Sequence, residues 1–321
     1  MSFKDIAGHK AEIDFLESSI ASGRVSHAYL FAGMAGIGKK ASSVEFAKAL
    51  NCLAEAQKRP CDSCASCRKI ISNNHPDVAV IVPQEDKKEI SIDQVRHLSR
   101  QVSLKAYEAR RKVYILDGAD NMGHAAQNAL LKTLEEPGGE ATIILIAENM
   151  RLLPQTIVSR SQPVRFYPLR ADDLEKLLAA KFGVEAKKAR VLSRMARGSV
   201  SEALALNGEA FFEKRSRIID MLKGADTAAL DAALEAAPKD EARRLLEAML
   251  CWYRDVLVAR AGLEGENAFI NSDRREAILK EAKMRDNRYL NETIERVAAT
   301  ISYLDNDANQ KLAMAVLSSR L

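Results

Sequence analysis

The sequence has few aromatic residues, little net charge and no long hydrophobic run. Aromatic residues make up 5% of its 321 residues, and the formal net charge is +4. That charge permits a nucleic-acid partner but does not argue for one, because electrostatic binding needs a concentrated basic surface. No run reaches the roughly 18 apolar residues of a membrane span, and the first residues lack a signal-peptide core. We therefore expect a cytoplasmic protein without membrane association.

The residues that are abundant favour a globular, helix-rich protein. Hydrophobic residues make up 47% of the chain and charged residues 29%, which is the profile of a protein with ample core. The length exceeds an average domain of about 100–200 residues, so two or three domains are expected.

Short apolar runs alternate with helical patterns through the first half of the chain. The patterns predict strands at 28–31, 78–82, 113–116 and 142–147, and helices at 39–52, 91–104 and 121–136. This alternation predicts a doubly wound α/β module over residues 1–166, with a parallel sheet and helices on both faces.

The remainder of the chain has only helical periodicity. Asn207-Gly208 is a plausible break within it, because glycine interrupts helices. We predict a small helical unit at 167–208 and a larger all-α unit at 209–321.

Residues 33–39 match the phosphate-loop pattern G-x-x-x-x-G-K. Its candidate binding residues are Gly33, Gly36, Gly38 and Lys39. Between a strand and a helix, such glycines let backbone amides face a β-phosphate, and the lysine reaches the β- and γ-oxygens. The next position normally carries a Ser or Thr hydroxyl that binds Mg²⁺, but here it is Lys40, which has no lone pair to offer. The alternative is a glycine-rich turn with a chance lysine.

Asp117 ends the third predicted strand, as the carboxylate that holds Mg²⁺ does in ATPases of this architecture. The position after it, where a catalytic glutamate is expected, is Gly118, which cannot accept a proton from water. Alternatively, Asp117 only caps the next helix. ATP or ADP and Mg²⁺ are therefore expected to bind weakly or not at all.

Four of the five cysteines, Cys52, Cys61, Cys64 and Cys67, lie within sixteen residues. In a reducing cytosol a metal is the better interpretation than disulfides, and four thiolates satisfy tetrahedral Zn²⁺. Such a site leaves no open position, so we predict structural zinc rather than catalytic zinc. Free thiols are the alternative, and Cys251 is expected to be an ordinary core residue.

Three segments resemble one protein family. They are 26–31 (SHAYLF), 128–137 (NALLKTLEEP) and 153–160 (LPQTIVSR). Together with the phosphate loop they are similar to the AAA+ clamp-loader subunits of bacterial DNA polymerase III. The resemblance covers the first predicted domain, and it implies an AAA+ module with a zinc insert, a three-helix lid at 167–208 and an oligomerising collar at 209–321.

The resemblance also implies roles for single residues. In the family, a Ser-Arg-Cys motif supplies an arginine finger to ATP bound by a neighbouring subunit; here Ser159-Arg160-Ser161 retains the arginine. The alternative is a surface arginine in an ordinary salt bridge. The sensor 1 residue would fall near Glu148-Asn149, and the sensor 2 arginine is replaced by Ser201. The groups that serve the chain's own nucleotide are thus eroded, while the one that serves a neighbour remains.

This asymmetry resembles the delta-prime type of subunit. The resemblance implies a stator that helps load the sliding clamp on primed DNA, in a hetero-pentamer with gamma/tau ATPase subunits and a delta subunit. One alternative is an active gamma/tau-type ATPase. Another is a different AAA+ protein, such as a DNA-bound remodeller or initiator.

Overall fold

The computed structural model describes residues 3, 6–84, 87, 89–224, 227–265 and 268–318. The chain divides into two compact units. The first comprises Met1–Asp173 and Gly198–Ser201, and the second comprises Leu174–Arg197 and Glu202–Leu321. The three-part division into AAA+ module, lid and collar stays a prediction.

A parallel sheet forms the centre of the first unit. In the described ranges its strands are β1 (Ala28–Ala32), β2 (Val78–Ile81), β3 (Lys112–Asp117), β4 (Ala141–Ala147) and β5 (Gln162–Arg165). The strand order is β2-β3-β4-β1-β5, and every neighbouring pair is parallel. The strand that leads into residues 33–39 therefore lies inside the sheet, with β3 one strand removed.

Helices cover both faces of this sheet. They are α1 (Lys10–Ala21), α2 (Lys39–Asn51), α3 (Ala65–Ile71), α4 (Ile92–Ser103), α5 (His124–Glu135) and α6 (Gln155–Ser159). Alternate strand residues point to opposite faces: Leu30 and Leu116 belong to one apolar cluster, whereas Phe31 and Ile115 belong to the other. This confirms the predicted α/β module with helices on both faces.

The four predicted strands and three predicted helices of the sheet region are confirmed, with ends shifted by a few residues. Ser91 caps α4, because its side chain accepts from the N–H of Gln94 in a capping box. Strand β5 was not predicted. It is an edge strand containing Pro163, and only Val164 of its four residues is buried, so it lacks the apolar run that identifies a central strand.

Within its described residues the second unit contains helices and no strand, as predicted. Two of the helices that follow β5, α7 and α9, begin in the first unit and end in the second. The helices are α7 (Ala171–Phe182), α8 (Ala186–Met195), α9 (Val200–Ala205), α10 (Glu209–Gly224), α11 (Thr227–Ala236), α12 (Lys239–Arg260), α13 (Arg275–Met284), α14 (Asn287–Asp305) and α15 (Gln310–Ser318). The long helix α12 lies in its core, where Trp252 is 1% exposed. Cys251 is buried in the same helix, as predicted. Within the described ranges, no helix combines the length and the apolar character that a membrane span needs.

Candidate functional site

The phosphate-loop segment lies between β1 and α2, at the carboxyl end of the sheet. Gly36 and Gly38 have φ angles of 72° and 107°. Residues other than glycine rarely adopt this left-handed backbone region. The carbonyl of Gly36 accepts from the N–H groups of Val200 (2.9 Å) and Ser201 (3.2 Å). The residue at the expected sensor 2 position therefore contacts the loop through its backbone, without an arginine side chain.

Lys39 is folded onto its own loop. Its ammonium donates to the carbonyls of Gly33 and Met34, the latter at 2.7 Å, and the residue is 5% exposed. Burial lowers the pKa of Lys39, although the carboxylates of Glu148 and Asp120 act in the opposite direction. A phosphate bound here would have to draw the ammonium away from these carbonyls.

Lys40 contacts the carboxylate that was predicted to hold Mg²⁺. Its Nζ lies 3.0 Å from Oδ2 of Asp117, the last residue of β3. The Asp117 side chain is 29% exposed and that of Lys40 is 53% exposed. In the folded chain the ammonium of Lys40 thus occupies the side of Asp117 where a magnesium ion was expected.

The position after Asp117 has no proton acceptor, because it is Gly118 at φ 91°. The nearby carboxylate of Asp120 is engaged elsewhere. Its Oδ2 accepts from the N–H groups of Glu148 (2.8 Å) and Asn149 (2.9 Å), just beyond β4. Asp120 therefore joins two strand ends.

Arg160 lies at the C-terminal end of α6, at the surface of the first unit. Its Nη2 is 2.9 Å from Oε1 of Glu135, the last residue of α5, and its Nη1 donates to the carbonyl of Thr156 at 3.1 Å. Its side chain remains 36% exposed. Two contacts thus orient the guanidinium, while part of the Arg160 side chain stays accessible.

The cysteine cluster forms as predicted from its spacing. Among the described residues, Cys52, Cys61, Cys64 and Cys67 bring their Sγ atoms within 4.8 Å of one another. The backbone N–H of Cys64 donates to Sγ of Cys61 and that of Cys67 to Sγ of Cys64, each at 3.4 Å. This cluster could bind a metal ion.

The protonation of the thiols differs across the cluster. The N–H donated by Cys64 lowers the pKa of Cys61 to about 6, so this thiolate is available at neutral pH. Burial raises the pKa of Cys52 and of Cys67. A cation is the ordinary means by which buried thiols lose their protons.

Comparison with known proteins identifies the family. The model of the family "DNA polymerase III, delta subunit" matches residues 8–170, which is half of the chain. The DNA polymerase III subunit delta' of Bacillus subtilis is 38% identical over 207 residues, covering 64% of this chain and 61% of that protein. The chain belongs to the delta-prime family of DNA polymerase III clamp-loader subunits.

Two further similarities extend beyond the delta-prime family. The DNA polymerase III subunit tau of Escherichia coli is 31% identical over 257 residues, covering 78% of this chain and 38% of that protein. A solved gamma-subunit-related protein from Thermotoga maritima has a TM-score of 0.47 at 17% identity, covering 96% of this chain and 99% of that one. The chain spans about six tenths of the length of the delta' relative that it matches.

The delta-prime resemblance was predicted from sequence, but the partners of several site residues were not. The pairing of Glu135 with Arg160 joins the ends of two helices, and nothing in a linear pattern indicates it. The pairing of Lys40 with Asp117 could have been suspected, since both residues stood at the expected metal corner. The roles assigned to these residues remain predictions.

Proposed function

We propose that this chain is a stator of the DNA polymerase III clamp loader. It helps to load the sliding clamp on primed DNA, and it donates Arg160 in trans to ATP bound by a neighbouring gamma/tau subunit. Its own ATP site is inactive. Its partners are gamma/tau ATPase subunits and a delta subunit in a hetero-pentamer.

The contact between Lys40 and Asp117 is the observation that carries this proposal. A magnesium ion at this corner needs a carboxylate and a hydroxyl ligand. Here the ammonium of Lys40 lies 3.0 Å from the carboxylate of Asp117. The position after Lys39, which would supply the hydroxyl, is occupied by Lys40 itself. Bound Mg²⁺ would face a like charge and would have to displace an ion pair. Metal-assisted hydrolysis by this chain is therefore disfavoured.

Two further features support an inactive site. Gly118 offers no general base, and the carboxylate of Asp120 already accepts two backbone N–H groups. The ammonium of Lys39 is bonded within the loop rather than left free for phosphate. The first feature leaves the site without a general base, and the second means that phosphate would have to compete with the loop carbonyls for the ammonium of Lys39.

The proposed role of Arg160 is supported by its position and its exposure. A guanidinium that reaches the γ-phosphate of a neighbour stabilises the charge of the transition state, which is worth about 10³–10⁵ in rate in well-studied GTPases. Arg160 is held by two contacts on the surface of the first unit and keeps 36% of its side chain accessible. An arginine finger needs this combination of fixed direction and exposure.

We propose zinc as the metal of the cysteine cluster. Zn–S bonds of about 2.3 Å in a tetrahedron place thiolate sulfurs about 3.8 Å apart. The observed sulfurs lie within 4.8 Å of one another, so small side-chain adjustments suffice. With four sulfur ligands no coordination position remains for substrate, so the chemistry supplied is structural.

The test is ATP hydrolysis by the reconstituted loader in the presence of clamp and primed DNA. Arg160→Ala should lower kcat by at least a hundredfold at the ATP sites that receive Arg160. The isolated chain should show no ATP hydrolysis. Arg151→Ala is the matched control, because Arg151 is exposed on the short helix just before α6.

The rival function, an active gamma/tau-type ATPase, is favoured by the complete glycine pattern of the loop and by the identity to tau. Mg²⁺-dependent turnover by the isolated chain would establish that rival. Turnover that is unchanged by Arg160→Ala in an intact complex would refute the role in trans.

A further inference from the structure

Lys48 is a fully buried lysine in the helix that follows the phosphate loop. It is 0% exposed and lies in α2, nine residues after Lys39. Removing an ammonium from water is costly unless charged partners compensate for it. Neither the phosphate-loop site nor the helix itself requires a lysine here, so its partners indicate its role.

Two carboxylates surround the ammonium of Lys48. Glu45, 2% exposed and one turn earlier in α2, accepts from it at 2.7 and 2.8 Å. The second carboxylate is that of Asp62, which forms an ion pair with the same ammonium. Asp62 is not in α2 but in the segment that carries the cysteines, and its side chain is 32% exposed. Lys48 therefore joins a rigid helix to the metal-binding segment.

Asp62 occupies the turn between two of the clustered cysteines. It directly follows Cys61 and precedes Cys64 by two residues, and its φ is 60°. Aspartate tolerates this left-handed conformation better than most side chains, but the surroundings must still hold it there. The same turn brings the N–H of Cys64 to 3.4 Å from Sγ of Cys61.

The helix that carries Lys48 is itself fixed to the sheet. Asn51, in the last turn of α2, donates to the carbonyl of Arg111 at 2.9 Å and accepts from its N–H at 3.0 Å. Arg111 immediately precedes β3. A side chain that extends from this support has a defined position, as ligand-orienting residues require.

We propose that Lys48 is a positioning residue for the metal cluster: its ion pair with Asp62 holds the turn from Cys61 to Cys64 in its ligating form and slows metal loss. The inference rests on the proposed zinc. The metal segment is thereby coupled to the helix of the phosphate loop.

The experiment measures zinc retention in the full-length chain. Zinc per chain is determined by mass spectrometry, and its release to a chromogenic chelator is followed at a temperature well below unfolding. Asp62→Asn keeps the size of the side chain and its tolerance of positive φ but removes the charge. Losing a residue that orients metal ligands costs about 10–100-fold in metal affinity. We expect this variant to release zinc about 10–100 times faster than the wild type.

Lys48→Met should give the same acceleration, since methionine retains most of the apolar stem. If this variant is poorly folded because Glu45 is left unpaired, Glu45→Gln/Lys48→Met removes both charges and takes its place. Lys58→Met is the matched control, because Lys58 lies in the same segment but is 72% exposed and pairs with the exposed Glu55. It should release zinc at the wild-type rate.

The possible failures are distinguishable. Wild-type protein without zinc would overturn the proposed metal and this inference with it. Wild-type protein that holds zinc, together with folded Asp62→Asn and charge-balanced variants that release it at the wild-type rate, would overturn the role of Lys48 alone. Neither result would affect the role proposed for Arg160.

Discussion

The ammonium of Lys40 lies 3.0 Å from the carboxylate of Asp117, across the corner where a phosphate-loop ATPase holds its magnesium ion. The two residues come from different elements, since Lys40 is in the first turn of α2 and Asp117 ends β3. Lys40 therefore does more than replace the hydroxyl that would bind Mg²⁺. Its ammonium also pairs with Asp117, the carboxylate that would be the other ligand.

This contact predicts that Lys40→Thr restores binding of magnesium and nucleotide. Threonine supplies the missing hydroxyl and frees the Asp117 carboxylate. We expect the affinity for ADP with Mg²⁺, measured by titration calorimetry, to rise at least tenfold, with no gain when EDTA replaces the metal. Lys105→Thr, at an exposed position, should change nothing. An equal gain in EDTA would mean that Lys40 obstructs the nucleotide rather than the metal.

A second prediction concerns Glu135, the ion-pair partner of Arg160. Glu135→Gln should alter stability by less than about 1 kcal/mol, because ion pairs this exposed contribute little. If Arg160 acts in trans, its looser orientation should nevertheless lower the kcat of the reconstituted loader severalfold at unchanged KM. Glu136→Gln, one residue further and exposed, is the matched control. Equal effects of both substitutions would argue against orientation by Glu135.

A third prediction concerns Asp77, which is 3% exposed. Burial disfavours its charged form, but N–H groups donated by Glu108, Tyr107 and Ala109 outweigh burial and hold the pKa of Asp77 below its usual value. The ionised Asp77 carboxylate therefore contributes fully to the stability of the fold above its unfolded pKa of about 3.9. This contribution is lost as the pH falls through the lower pKa of the folded state.

Asp77→Asn should consequently lower the free energy of unfolding by about 1–3 kcal/mol at neutral pH. Below about pH 4 the difference from the wild type should shrink, because the wild-type carboxylate becomes protonated there. Urea denaturation at a series of pH values measures both effects. Asp93→Asn is the control, since the Asp93 side chain is 87% exposed. A constant difference down to pH 2 would contradict the assignment.

The loop glycines supply a fourth prediction. A Cβ on Gly36 would lie 2.4 Å from Oγ of Ser199 and 2.7 Å from Cβ of Ser201, whereas a Cβ on Gly38 would have nothing within 4 Å. Both glycines have positive φ, so alanine costs about 1 kcal/mol or more at either position. Gly36→Ala should cost clearly more than Gly38→Ala in thermal denaturation. Equal losses would mean that residues 199–201 do not pack closely on the loop.

Much of the first unit could be predicted from the sequence because its signals are local. Apolar runs at 28–31, 78–82, 113–116 and 142–147 marked strands. Strand β5 escaped prediction because its residues, Gln162–Arg165, include polar side chains at both ends and a proline, and so contain no apolar run. The burial of Lys48 also escaped, although a lysine among Val44, Phe46 and Ala47 was a sign of it.

By itself, the sequence determined the α/β module, the phosphate loop with Lys40 in place of a hydroxyl, the cysteine spacing and the delta-prime resemblance. These follow from residue type, order and short spacing. Only the tertiary structure decided that Lys40 neutralises Asp117, that Glu135 holds Arg160 and that Lys48 reaches Asp62. Ion pairs between residues that are distant in sequence form only after packing has fixed which charges approach within about 4 Å and which lose their water.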